Sequence, residues 1–291
     1  MKPATFDYHC PSNLEEAVKL LNEFGSEGKI IAGGQSFIPI LNMRMSEPGC
    51  LIDINQVTEL KGIRIEDGVV KIGALTTQRE LEQHEDIRKH IPLLVEAAQY
   101  IGHVQTRNRG TVGGSVAHAD PSAELPLSFL ALDSEIVITS ADGSRTTSIN
   151  DFFITYLTTE LMPEEILTEI HVPLSQPAGY AFEEFSRRHG DFALVAAACL
   201  LSVDDAGIID QARIVLGGVD AVPLLAEDAM EYLIGKTLTE DILEKTVEIA
   251  VNDADPDADL HASKEYRLQL TKVMTRKALL KAYNRGLGKE G

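Results

Sequence analysis

Two glycine pairs, about eighty residues apart, are the features of this sequence best suited to bind a charged ligand. Gly33-Gly34 follows the short apolar strand predicted at residues 29–32, and Gly113-Gly114 belongs to a second segment of similar composition. Glycine adopts positive φ angles and lets a ligand approach the main chain, so that successive N–H groups can surround one anion. Hydroxyl side chains accompany both pairs, at Ser36, Thr111 and Ser115. We therefore predict that two loops hold one diphosphate from two sides.

Simpler interpretations compete with this prediction. The first pair alone is also compatible with a plain tight turn. Arg107 and Arg109 stand beside the second pair, where they either support an anion or form a solvated surface. His118 and Asp120 form an H-x-D pair, for which a role in a pocket or in the structure is favoured over metal binding, because no second histidine pair stands at ligand spacing.

Several other chemistries are disfavoured by the sequence. Neither glycine pair is followed by the Lys-Ser/Thr of a Walker A loop, and neither has the G-x-G-x-x-G spacing of a Rossmann turn. Hydrolase signatures such as G-x-S-x-G and H-E-x-x-H are missing from the sequence. Its three cysteines, Cys10, Cys50 and Cys199, stand too far apart to hold an iron-sulfur cluster. A redox centre must therefore be organic or belong to another chain.

The elements that position the glycines mix helices and strands. Ser12 and Glu15 form a capping box that predicts a helix ending at Gly25, and Pro92 begins another helix. Strands are predicted at residues 29–32 and 51–54, and hairpins around Asp67-Gly68 and Asp142-Gly143. Residues 166–172 alternate as an edge-compatible strand.

The main domain boundary is expected near residue 177, where Pro173, Pro177 and Gly179 interrupt any regular element. Two strands flanking a turn at residues 205–207 and a helical tail follow it. Ser263 is the predicted N-cap of the last helix, whose Tyr266, Leu270, Val273 and Met274 are expected on one core face.

Length and composition indicate a folded protein of two or three packed units, with 291 residues, 44% hydrophobic and 24% charged. The net charge of -19 disfavours nucleic acid and anionic membranes as partners. No apolar run approaches the roughly 18 residues of a membrane span, and no secretory signal is visible, so the cytoplasm is the expected location.

Around both glycine pairs the sequence resembles the FAD-binding medium subunit of the molybdenum hydroxylases, the family of xanthine dehydrogenase and carbon monoxide dehydrogenase. Asn42-Met43-Arg44 after the first pair and residues 117–121 after the second carry the resemblance. It continues through residues 187–193, residues 216–219 with Pro223, and the tail from His261 to Leu279.

The resemblance implies an α+β fold. It places an FAD-binding domain of the vanillyl-alcohol-oxidase (PCMH) type at residues 1–176, in subdomains of about 1–57 and 58–176. A C-terminal domain at residues 177–291 would contain a three-stranded antiparallel sheet and helices. The cofactor implied for this chain is FAD, with neither a metal nor a catalytic side chain. The residues implied at the cofactor are Ala32, Gly33, Gly34, Gln35, Ser36, Phe37, Ile101, Thr111, Gly113, Gly114, Ser115, His118, Asp120, Glu124, Leu167 and Phe192.

At several of these positions the chain differs from its relatives. Gln35 stands where some members have histidine, and Glu124 replaces the usual aspartate. Glu183 and Glu184 stand where relatives often place a lysine near the flavin. Phe192 matches an aromatic residue beside the isoalloxazine in the carbon monoxide branch, with ordinary core packing as the alternative.

By resemblance the chain is an electron-transfer subunit of an oxidoreductase. Its expected partners are a small 2Fe-2S subunit and a large molybdenum-cofactor subunit, assembled as a dimer of heterotrimers. The large subunit would choose the substrate. Two alternatives stay open, a non-catalytic nucleotide-binding or assembly subunit and a stand-alone FAD oxidoreductase.

Overall fold

A small parallel sheet leads into the first glycine pair. In the computed structural model, which describes residues 2–289, strands β1 (Asp7–His9) and β2 (Gly28–Ile31) both pair in parallel with β3 (Cys50–Asp53). Helix α1 (Leu14–Phe24) packs its apolar side on this sheet, and helix α2 (Phe37–Asn42) follows the glycine turn. The cap of α1 is Asn13, whose Oδ1 accepts from the N–H of Glu16 at 2.9 Å. The predicted N-cap at Ser12 is therefore displaced by one residue, to Asn13.

A five-stranded antiparallel sheet forms the middle of the chain. Its strands, in spatial order, are β4 (Ile63–Glu66), β5 (Val69–Gly73), β10 (Ile166–Pro173), β6 (Glu135–Ser140) and β7 (Gly143–Ser148). Both predicted hairpins are confirmed, and Asp67 and Gly68 have the positive φ angles, +53° and +77°, of a primed turn. The strand predicted at residues 166–172 lies in the centre of the sheet, because Pro173, which suggested an edge, is only its last residue. Strands β8 (Phe153–Thr155) and β9 (Thr158–Thr159) form a separate hairpin.

Seven short helices accompany this sheet among the described residues. They are α3 (Gln78–Gln83), α4 (Glu85–His90), α5 (Pro92–Tyr100), α6 (Val104–Arg107), α7 (Val112–His118), α8 (Glu124–Ala131) and α9 (Ile149–Phe152). Three single turns of 3-10 helix occur at Gly25–Glu27, Ile54–Gln56 and Thr58–Leu60. Helix α5 begins at Pro92 as predicted, and α7 contains the second glycine pair.

The C-terminal part combines an antiparallel sheet with three helices. Its strands β11 (Gly179–Phe185), β12 (Val195–Val203) and β13 (Ile209–Gly217) give the expected three-stranded sheet, to which the two-residue β14 (Leu224–Leu225) is added. The helices are α10 (Glu227–Leu233), α11 (Glu240–Ala250) and α12 (Lys264–Gly286). Ser263 caps α12 as predicted. Leu270 and Met274 are buried, but Tyr266 and Val273 are exposed, so the predicted four-residue face is wrong for those two.

The C-terminal sheet is tied to the middle of the chain by a shared hydrophobic core. One face of β11 and β12 contributes Phe182, Ala198 and Leu200 to the core that also contains α5 and α8. The opposite face packs beneath α12. Within residues 2–289, no helix is both long enough and apolar enough to span a lipid bilayer.

Candidate functional site

The two glycine segments touch each other at the end of β2. A Cβ on Gly33 would lie 2.1 Å from the carbonyl oxygen of Arg109 and 2.9 Å from the Cα of Gly110. Only a residue without a side chain fits at that distance from another backbone. The expectation that the two distant segments converge is therefore confirmed.

The first turn presents a row of free backbone donors. Within the described part of the chain, the N–H groups of residues 33–37 donate no hydrogen bond. Gly34 has a φ of +69°, which lets consecutive N–H groups converge on one concave side. The side chain of Gln35 folds back, and its Nε2 donates to the carbonyl of Gly33 at 3.1 Å. The turn thus has the donors that an anion requires.

The second glycine pair lies on a helix and not in an open loop. Thr111 caps α7, because its Oγ1 accepts from the N–H of Gly114 at 3.1 Å. The N–H of Gly113 donates to the carbonyl of Ala74 at 2.9 Å, and that of Ser115 to Thr111 at 3.1 Å. The prediction of a second loop with free N–H groups is therefore wrong, since the glycines permit close packing of a helix end. This segment still offers a ligand the hydroxyl of Ser115 and the exposed main chain of Gly114.

A cavity of about 310 Å³, called the main cavity below, opens where the two segments meet. Every residue that the resemblance implies at the cofactor lines it, except Gly113 and Leu167. One wall is apolar and includes Ile31, Phe37 and Ile101. Phe192 is 60% exposed at this cavity, so the alternative of ordinary core packing does not apply. Contact of these residues with a cofactor stays a prediction.

Gly113 and Leu167 line a second cavity of similar size, the side cavity. Both cavities are bordered by Ile30, Ala32 and Gly114. The two cavities therefore share part of their walls along the glycine segments.

His118 and Asp120 both face the main cavity, from the end of α7 and the residues after it. Asp120 Oδ1 accepts from the N–H of Ser122 at 2.9 Å. In the part of the chain that the structure describes, no group of three or more His, Cys, Asp or Glu side chains is arranged to hold a metal ion. Because both His118 and Asp120 line the main cavity, their positions agree with the predicted role in a ligand pocket.

Two polar side chains hold the walls of the main cavity in place, Arg107 and also Asn55, which the sequence did not single out. Asn55 Nδ2 donates to the carbonyl of Ala32 at 2.8 Å and thereby fixes the start of the first turn. Arg107 is buried, and its Nη1 donates to the carbonyl of Ile101 at 2.8 Å. Its Nε pairs with the buried Glu82 at 3.0 Å. The solvated-surface interpretation is therefore wrong for Arg107, whereas Arg109 is exposed.

Gln78 supplies a buried acceptor without a partner. Its side chain is 6% exposed and borders the main cavity, and its Oε1 accepts no hydrogen bond from the described residues. A buried polar atom without a partner costs about 1–3 kcal/mol, so this atom favours a ligand with a donor group.

Two carboxyl groups, the buried Glu124 of the main cavity and the half-buried Glu184 outside its lining, have raised pKa values. Burial raises the pKa of Glu124 to about 7, with a smaller contribution from the neighbouring charge of Asp120. Burial also raises the pKa of Glu184 to about 8, with a contribution from the charge of Glu124. Glu183, on the opposite face of β11, pairs with Lys281 at 3.1 Å. The two glutamates that stand where relatives place a lysine therefore have different environments.

Comparisons with known proteins agree along almost the whole chain. Residues 4–175 match the family model of the FAD binding domain in molybdopterin dehydrogenase, and residues 180–282 match the CO dehydrogenase flavoprotein C-terminal domain. The chain is 41% identical to the 6-hydroxypseudooxynicotine dehydrogenase complex subunit alpha of Paenarthrobacter nicotinovorans, over 98% of this chain and 97% of the relative.

Solved structures show the same relationship. A chain of carbon monoxide dehydrogenase from Hydrogenophaga pseudoflava superposes with a TM-score of 0.95 at 36% identity, covering 98% of this chain and 99% of the other. A chain of quinoline 2-oxidoreductase from Pseudomonas putida 86 superposes with a TM-score of 0.94 at 36% identity, covering 99% and 100%.

Proposed function

The chain belongs to the family of FAD-binding medium subunits of molybdenum hydroxylases, and from this membership we propose that it holds one FAD and carries electrons from a 2Fe-2S subunit to an external acceptor. The observation that carries the proposal is the contact of Gly33 with the backbone of residues 109 and 110, which joins both glycine segments at one cavity. Bound FAD supplies a centre that accepts electrons one at a time and releases them in pairs.

The described residues fit a flavin dinucleotide. The free N–H groups of the first turn would bind the diphosphate, with the hydroxyls of Ser36 and Ser115 as further donors. Such local dipoles are needed because the whole chain carries a net charge of -19. Gln78 Oε1 would accept from a donor group of the cofactor.

The apolar wall of the main cavity suits the flat ring system. Ile101, held through its carbonyl by Arg107, and the exposed ring of Phe192 would contact the isoalloxazine and exclude water from it. Leu167, which lines the side cavity, would contact another part of the same cofactor.

We further propose the division of the chain at residues 176 and 177, the cytoplasm as its location, and a complex built as a dimer of heterotrimers. The large molybdenum subunit of that complex would choose the substrate. The relatives named above come from enzymes whose names give three different small molecules, 6-hydroxypseudooxynicotine, carbon monoxide and quinoline. This supports a common electron-transfer role for the medium subunit with substrate choice in another chain.

The proposal is tested by stopped-flow spectroscopy of the purified complex. We expect flavin absorbance to bleach after substrate addition and to recover when acceptor is added, while the isolated FAD-loaded chain is not reduced by substrate. Reduction of the isolated chain by substrate would support a stand-alone oxidoreductase. A complex that turns over without flavin in this chain would support a non-catalytic subunit.

A further inference from the structure

Two arginines share one buried carboxylate beside the main cavity. Glu82 of α3 is 9% exposed, and its Oε2 lies 2.9 Å from Nη1 of Arg79 and 3.0 Å from Nε of Arg107. Arg107 is itself buried, whereas the side chain of Arg79 reaches solvent. A third guanidinium is close, since Nε of Arg88 donates to the backbone carbonyl of Glu82 at 3.2 Å. These four residues are called the arginine cluster below.

The arginine cluster carries an excess of positive charge. Within residues 2–289, Glu82 is the only acidic side chain that forms an ion pair with any of its three arginines. Glu80, on the same helix, accepts instead from the N–H of Thr77 at 2.8 Å. Arginine stays protonated in proteins. Three positive charges therefore surround a residue with one negative charge, although the whole chain carries a net charge of -19.

The arginine cluster lies directly against the wall of the main cavity. Gln78, one helical turn before Glu82, and Thr106, directly before Arg107, both line this cavity. Ile101 is a third lining residue, and its carbonyl accepts from Nη1 of Arg107 at 2.8 Å. The buried guanidinium of Arg107 is therefore bonded to the wall without lining the cavity itself.

We propose that the arginine cluster, through Arg107 above all, stabilises the negative charge of the reduced flavin and thereby raises the reduction potential of the flavin. This inference rests on the proposed function, because it requires FAD in the main cavity with its ring system at Ile101. Two electrons from the iron-sulfur partner and one proton from solvent convert the neutral oxidised ring into a reduced ring with one negative charge. Reoxidation passes the two electrons to the acceptor and returns the proton to solvent.

The physical cause is the field of a cation that is shielded from water. Because only the reduced ring is charged, a nearby cation stabilises it and leaves the oxidised ring nearly unaffected. One charge at about 10 Å, with an effective dielectric constant of about 20, changes such an equilibrium roughly tenfold. Arg107 contributes most, since Arg79 and Arg88 reach solvent and are screened. Arg107 acts as a positioning residue for charge and not as a catalytic residue.

The reduction potential of the FAD-loaded full chain, measured by spectroscopic titration against a reference dye, tests this inference. Arg107→Gln removes a positive charge and should shift the equilibrium toward the oxidised flavin roughly 3- to 30-fold. This corresponds to a potential that is lower by about 15–45 mV, since a tenfold change is about 30 mV for two electrons. Glu82→Gln removes the negative charge and should raise the potential. A purely structural role predicts shifts of the same sign in both variants, because both break the same ion pair.

Two further variants complete the experiment. Arg79→Gln keeps the buried pair of Glu82 and Arg107, so it tests the charge even if Arg107→Gln does not fold, and it should lower the potential by less than Arg107→Gln. The matched control is Arg276→Gln, which breaks an ion pair of α12 with Glu240 at 2.7 Å and should leave the potential unchanged.

Opposite shifts in Arg79→Gln and Glu82→Gln would support the inference. Shifts of one sign in these two variants, or potentials equal to that of the native chain, would overturn it and leave the proposed function intact. A folded native chain that binds no FAD would overturn the proposed function and this inference together.

Discussion

Replacement of Gly34 by alanine tests the first turn as the diphosphate site. Gly34 has a φ of +69°, and a Cβ there would lie 3.1 Å from Cγ1 of Ile38, an exposed and adaptable side chain. Alanine in this left-handed conformation costs about 1–2 kcal/mol. Without FAD the turn can relax to avoid that cost, whereas FAD binding must restore the conformation.

The expected result is FAD binding that is weaker by roughly 5- to 30-fold, because 1.4 kcal/mol corresponds to a factor of ten in affinity. Fluorescence titration of the apoprotein with FAD gives the dissociation constant. Gly68→Ala is the matched control, since Gly68 has a φ of +77° in a hairpin turn and a Cβ there would meet no atom within 4 Å. The control should lose about 1–2 kcal/mol of its free energy of unfolding and bind FAD normally. Native affinity in Gly34→Ala, or equal loss in both variants, would refute the role of the turn.

Three further predictions concern the walls of the main cavity. Asn55→Ala removes the hydrogen bond to the Ala32 carbonyl and should weaken FAD binding, measured by calorimetry, roughly two- to tenfold. The control Asn22→Ala, on the exposed side of α1, should bind FAD normally, and equal affinities of the two variants would contradict the positioning role of Asn55. Phe192→Ala should leave the free energy of unfolding without FAD within about 0.5 kcal/mol, because the ring is exposed, but should weaken FAD binding; a large loss of stability would show that the ring packs in the core. Because the pKa of Glu124 is raised to about 7, the folded chain holds a proton that the unfolded chain releases near the ordinary pKa of 4.5. The free energy of unfolding should therefore fall by up to about 3 kcal/mol as the pH rises from 4.5 to 7. Denaturation with urea at several pH values should show a flatter profile for Glu124→Gln, and an unchanged profile would contradict this assignment.

The sequence was sufficient to predict a feature where one physical effect explains why a particular residue type stands at a position. Gly33 is required by its approach to the Arg109 carbonyl, and Asp67-Gly68 closes a hairpin through its positive φ angles. The hairpin turn depends on local backbone geometry, which a glycine in the sequence indicates directly, whereas the close approach at Gly33 is a tertiary contact. The shared composition of the two segments predicted that they converge, but only the tertiary structure shows that Gly33 meets residue 109.

Other features of the site depend on packing between distant elements and leave little trace in the sequence. Thr111 serves equally well as a helix cap or as a ligand donor, and only the tertiary structure shows that it caps α7. Asn55 holds the Ala32 carbonyl across twenty-three residues. Glu184 differs from its neighbour Glu183 because a strand sends adjacent side chains to opposite faces. Glu183 meets Lys281, whereas Oε2 of Glu184 is buried without a hydrogen-bond partner.

Calorimetric titration of the purified chain with FAD and with riboflavin tests most directly that the joined glycine segments bind a dinucleotide through its diphosphate. Riboflavin offers the same ring system without phosphate, so it would contact the apolar wall but not the free N–H groups of residues 33–37. We expect one FAD per chain and an affinity for riboflavin that is lower by at least 100-fold, or about 2.7 kcal/mol. Equal affinities for the two flavins, or no binding of FAD to the folded chain, would contradict the account.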